Sequence, residues 1–91
     1  MYTNRDCLVN SSEMDYEKRI LVLNPNVLKP EYQESKYQLW RATGGFGCPP
    51  ECVGRAVFCR CLYDGDETRF DRFNFLGILK PELIPDWAEG K

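Results

Sequence analysis

Cys48, Cys52, Cys59 and Cys61 form the densest group of chemically capable side chains in this chain, spaced Cys-x3-Cys and Cys-x-Cys. Four thiolates can complete a tetrahedral structural zinc, and a metal would strengthen a chain this short. The spacing departs from the two Cys-x2-Cys knuckles of zinc ribbons, however. Cys59 and Cys61 also fall on one face of an expected strand, where free cysteine behaves as a small buried hydrophobe. Core thiols with no cofactor are therefore preferred to zinc. Cys48 follows a glycine-rich loop whose amides can lower a thiol pKa, but no base can be named for it, because the chain contains no histidine. The same absence excludes serine and cysteine hydrolases that rely on a histidine base from this chain, and no enzymatic activity is expected.

Gly44-Gly45-Phe46-Gly47 invites a phosphate-loop reading, which fails on context. Such loops run into a helix N-terminus, whereas this one runs through Pro49-Pro50 into a strand. A bend is the better reading, with Phe46 folded back as its plug. Asp64, Asp66, Glu67 and Asp71 lack the spacing of a calcium loop, and a solvated hairpin turn accounts for them. Arginines 41, 55, 60, 69 and 72 interleave with Trp40, Phe58, Phe70 and Phe73, and residues 36 to 62 carry a local excess of three positive charges. Arginines and aromatics on a sheet can stack single-stranded bases. They also serve as sheet cover, pairing with Asp64, Asp66 and Asp71 across the hairpin, and this second reading is favoured.

These side chains must be positioned by short strands. Ile20-Leu21-Val22-Leu23, stopped by Asn24-Pro25-Asn26, predicts a buried strand. Residues 27 to 35 read as a connector, because Pro30 keeps Lys29 out of the helical region. Tyr37 to Thr43 alternates so that Trp40 lies opposite Leu39, which suggests a sheet face covered by a second chain. Gly54 to Tyr63 places Val57, Cys59, Cys61 and Tyr63 on a core face. Asp64-Gly65 closes a hairpin onto a strand from Thr68 to Phe73, and Asn74 caps a short turn beyond it. Trp87 docks the end of the chain. Val27-Leu28-Lys29-Pro30-Glu31 and Ile78-Leu79-Lys80-Pro81-Glu82 share Leu-Lys-Pro-Glu, a likeness of turn chemistry rather than a duplication. The expected fold is mainly β: a small antiparallel meander sheet or partly open barrel with short terminal helical turns. Residues 1–17 are expected as a flexible N-terminal tail, and residues 18–91 as a single β-rich domain.

Composition sets the remaining limits. The 91 residues suit one domain, and 43% apolar with 29% charged is a globular balance. A formal charge of −2 disfavours nucleic acid as a general partner. No stretch approaches the roughly 20 apolar residues of a membrane span, and the start of the chain lacks an export signal. Five cysteines, an odd number, fit reduced thiols in a cytoplasm. Asn10-Ser11-Ser12 matches a glycosylation sequon that carries no meaning without export.

The segment GGFGCPPECVGRAVFCRCLYDGDETRFDRFNFLGIL resembles a group of small proteins, or modules of larger ones, from plasmids and conjugative elements of Gram-positive gut bacteria. The resemblance covers residues 18–87 and implies a cytoplasmic accessory protein of mobile DNA, with no site residues to carry over. The reading that results is a non-catalytic accessory or protein-binding module, acting on another protein or on itself and not on a membrane. Trp40, Arg41, Phe46 and Arg60 are its expected contact surface. The alternative is a zinc-stabilised nucleic-acid-binding module built on Cys48, Cys52, Cys59 and Cys61.

Overall fold

Ile20, Leu21, Val22 and Leu23 have the β-branched, apolar character of a strand with no solvent face, and all four are buried in β1 (Ile20–Leu23). Asn24 stops the strand, its side chain accepting a hydrogen bond from the Asn26 amide at 3.0 Å to open a 3-10 turn. Four further strands follow, β2 (Leu39–Gly45), β3 (Ala56–Cys61), β4 (Glu67–Asp71) and β5 (Phe75–Ile78), in a computed structural model that describes residues 1–10, 13, 15–48 and 54–91. They form one antiparallel sheet in the order β4-β3-β2-β1-β5.

β1 to β4 are the expected meander, and β5 returns to the far edge. The link that makes this crossing is a 3-10 turn of three residues, Arg72–Asn74. Four residue steps reach at most about 14 Å, whereas the outer strands of a flat five-stranded sheet stand about 19 Å apart. The sheet must therefore coil so that the end of β4 comes close to the start of β5. Phe70 of β4 and Phe75 of β5 meet edge to face at 5.8 Å. Inside the coil lies one apolar cluster, which includes Leu21, Trp40, Val57, Cys59, Cys61 and Phe75. On the outer face of β1 and β2 lies a second, made of Ile20, Val22, Leu39, Leu62, Leu79 and Ala88.

The second cluster revises two expectations. The sheet face opposite Trp40 is covered by the chain itself, so covering it needs no second chain. Part of that cover comes from the segment expected as a tail. Leu8 bridges Leu79, the Val9 amide donates to the Ile78 carbonyl at 2.8 Å, and the Lys80 amide donates to the Cys7 carbonyl at 2.9 Å. Tyr16 is buried in the inner cluster. Gln38, with no exposed surface, clasps the segment: it accepts from the Tyr2 amide at 2.8 Å and donates to the carbonyls of Tyr2 at 2.8 Å and Leu23 at 2.9 Å.

Other departures are local. Phe75 to Ile78 is a strand, not a capped turn. Gly77, at φ 154°, breaks the apolar pattern there because Leu8 presses on it: a Cβ at that position would meet the Leu8 side chain at 3.3 Å. Gly44 and Gly45 belong to β2 instead of a loop, with a register shift between Ala42 and Gly44. The hairpin turn is longer than Asp64-Gly65 alone, since the Gly65 amide donates to the Cys61 carbonyl at 2.9 Å and the Cys61 amide to the Asp66 carbonyl at 2.8 Å. Pro30–Tyr32 and Pro81–Leu83 are both 3-10 turns with proline leading, which accounts for the shared Leu-Lys-Pro-Glu by turn chemistry.

Candidate functional site

The expected contact surface comes apart in the structure. Trp40 points into the coil with 5% of its surface exposed, donating its indole N–H to the Tyr37 carbonyl at 2.8 Å and meeting Phe70 edge to face. Its position on the face opposite Leu39 was legible, but both faces of β2 are interior there. Arg41 lies on the outer face, where Nε donates to the Lys91 carbonyl and Nη1 to the Lys18 carbonyl, each at 2.7 Å. Its guanidinium is thus a tether between chain segments. Arg60 is exposed and pairs in register with Arg41, so these two are neighbours on one face while Trp40 faces the other way. Phe46 folds back onto the inner cluster and packs edge to face on Tyr16 at 5.5 Å, with the Arg72 guanidinium 4.5 Å from its ring centre.

The glycines around Phe46 serve the bend. Gly45 has φ 76°, and a Cβ there would stand 2.2 Å from the Ala56 carbonyl oxygen, so only glycine fits. Phe58, across from Gly44, lays its ring over the flat stretch at 3.7 Å from where a Cβ would be.

The thiols behave as core. Cys59 and Cys61 are buried side by side on the inner face of β3, and Cys59 Sγ donates weakly to the Thr68 carbonyl at 3.6 Å. Burial pushes the Cys59 thiol up to about 12, helped by Cys61 and Asp66, and burial also raises Cys61. Both are protonated at neutral pH, the opposite of an activated nucleophile. Cys48 is buried in the same cluster, and Cys52 lies outside the described residues. Among the described residues no three histidine, cysteine, aspartate or glutamate side chains gather into a metal-binding group. Of the ion pairs expected across the hairpin, the described residues show Arg55 with Asp71 at 3.3 Å.

A different surface emerges from residues to which the sequence gives other roles: Tyr63, expected on the core face of its strand, is instead exposed, and Trp87 is the expected dock for the end of the chain. Tyr32, Tyr37, Tyr63 and Trp87 meet edge to face in a continuous ladder, with ring centres 4.9, 5.5 and 5.7 Å apart in that order. Tyr32 is 40%, Tyr63 46% and Trp87 38% exposed, so the ladder is a surface feature. Lys36 lies 4.2 Å from the Tyr63 ring centre and 5.4 Å from that of Tyr37, and its hydrogen bond with Tyr63 is the main influence holding its pKa above the ordinary lysine value. The ladder begins in a groove of about 670 Å³ between the β1–β2 connection and the β3–β4 turn. Val27, Leu28 and Tyr32 form one wall, and Asp64, Gly65 and Asp66 stand on the other. Trp40 and Phe70 also reach it. Three separate segments contribute these rings, that between β1 and β2 supplying both Tyr32 and Tyr37, so no single local spacing announces them. The one available signal was the tyrosines and tryptophan lying outside the strand cores.

No protein-family model matches this chain, and comparison with curated proteins and with solved structures finds no significant match in either. The fold and surface together define a small five-stranded antiparallel β domain with an aromatic groove, and among its described residues no helix is long and apolar enough to cross a membrane.

Proposed function

We propose that this chain is a non-catalytic protein-binding module whose contact surface is the ladder Tyr32, Tyr37, Tyr63 and Trp87 with its adjoining groove. The observation that carries the reading is the ladder's exposure: Tyr32, Tyr63 and Trp87 each keep about two-fifths of their surface in water along one row of four rings. Tyrosine and tryptophan bring large, rigid contact area with few rotatable bonds, which is why they dominate the energetic centres of protein interfaces. The acidic turn at Asp64 and Asp66 and the cation Lys36 supply a polar rim. The mobile-element setting rests on the sequence resemblance alone, and the cytoplasmic one on that resemblance together with the odd number of cysteines.

Site-specific photo-crosslinking in the cells that make the protein tests the surface. A photoreactive phenylalanine at Tyr32 or Tyr63 is expected to capture one defined protein, with the adduct lost when Trp87→Ala is added. Equal capture from a probe at Arg19, away from the ladder, or capture indifferent to Trp87→Ala, would refute the assignment.

A further inference from the structure

Among the described residues, β4 stands at the edge of the sheet with no strand on its outer side. Its register with β3 pairs Thr68 with Cys59 and Phe70 with Val57, in phase with the Cys61-to-Asp66 and Arg72-to-Arg55 main-chain bonds at either end. The N–H and C=O groups of Thr68 and Phe70 therefore turn toward β3. Those of Glu67, Arg69 and Asp71 turn outward, unclaimed by a neighbouring strand. The side chains of the same three residues share the outer face and alternate in sign: negative, positive, negative.

We infer that the β4 edge pairs with the β4 edge of a second copy, antiparallel, about a two-fold axis at Thr68. Charged residues on an edge strand ordinarily repel intruding strands. Here the alternation makes the edge complementary to itself in one register and hostile in its neighbour. Centred on Thr68, Glu67 faces Arg69 of the second copy and Arg69 faces its Glu67, and both are hydrogen-bonded positions using the outward main-chain groups. A shift that centres the pair on Arg69 places arginine against arginine and Glu67 against Asp71. A further shift, centred on Phe70, asks Arg69 to pair with Asp71, which already binds Arg55 and accepts the Phe73 amide at 3.0 Å. Thr68 is thus the axis that satisfies the charges without undoing existing bonds. The outer face has an apolar component at the same place: Phe58, in register with Arg69, is 48% exposed and borders a hollow of about 420 Å³ with Thr43, Glu67 and Arg69. The second copy's Arg69 stem, lying against Glu67, covers that hollow. The contact is isologous and closes at two chains.

Sedimentation of the whole chain at low salt, in a series reaching about 1 mM, is expected to show a reversible dimer. Arg69→Glu makes both flanking pairs like-charged and should weaken it about tenfold to a hundredfold, and adding Glu67→Arg should restore it. A monomer throughout, a dimer indifferent to Arg69→Glu, or a double variant that fails to recover would each overturn the proposal. A measurement on the unaltered protein covers the case in which a variant misfolds: amide exchange at Glu67 and Arg69 should slow as concentration rises. Exchange there that is independent of concentration would overturn the pairing equally.

Discussion

Substituting Gly45 and its neighbour Gly44 by alanine should give opposite results. At Gly45 the backbone is left-handed, which costs an alanine about 1–2 kcal/mol. The new Cβ would also stand 2.2 Å from the Ala56 carbonyl oxygen, so that carbonyl must withdraw. The same oxygen accepts the Phe46 amide at 2.9 Å, and losing a hydrogen bond of this kind removes roughly 1 kcal/mol. Gly45→Ala is therefore expected to destabilise by about 2–3 kcal/mol, adding the loop-bond loss to the left-handed penalty. At Gly44 the nearest atom to an added Cβ is Phe58 Cδ2 at 3.7 Å, ordinary contact, so Gly44→Ala should stay within about 0.5 kcal/mol of the parent. Urea unfolding followed by tryptophan fluorescence reports both, since Trp40 moves from the core to water. With a slope of about 1 kcal/mol per molar urea, the Gly45 variant should lose roughly 2–3 M in midpoint or be unfolded at the outset. A Gly45→Ala protein within 1 kcal/mol of the parent, or a Gly44→Ala protein equally damaged, would show that the bulge does not hold the β2–β3 bend.

Gln38→Leu keeps the volume of the clasp but leaves the Leu23 carbonyl and both Tyr2 main-chain groups without their partner. A loss of about 2 kcal/mol is expected, with faster amide exchange at Tyr2 and Val9 as its local sign. The raised thiols give a pH signature. Cys59 holds its proton up to about 12 when folded and ionises from about 9 when unfolded, so the unfolded state sheds protons first. The stability linked to it is complete below pH 9 and declines between 9 and 12. Cys59→Ala should flatten that decline in urea midpoints measured across the range. Metal analysis of the purified chain should find no stoichiometric zinc, and a one-to-one content would restore the four-cysteine site.

The core face of β3 was legible because Val57, Cys59 and Cys61 alternate with exposed residues, and β1 because Ile20 to Leu23 is apolar throughout. β5 was hidden by Gly77, whose reason is a side chain almost seventy positions away at Leu8. Trp40 illustrates a different limit. Alternation says which side of a strand a residue takes, but whether that side is wet depends on what covers it. The polar Gln38 was overlooked for the same cause, since its partners come from Tyr2 and Leu23. The Tyr32 to Trp87 ladder is assembled from turns, where neither period of two nor of 3.6 applies, and so no pattern in the chain marks it.

Arg41 has a mechanical consequence. A single guanidinium grips the carbonyls of Lys18 and Lys91, while the Leu8–Leu79 bridge and the Gln38 clasp hold the first residues to the same outer layer. Force applied through Leu8 or Lys91 loads this layer directly. Tension at the last residues strains the bond that also steadies the entry to β1. Loss of the Lys91 contact then loosens the backbone at Lys18, just ahead of β1, through the one guanidinium that binds both.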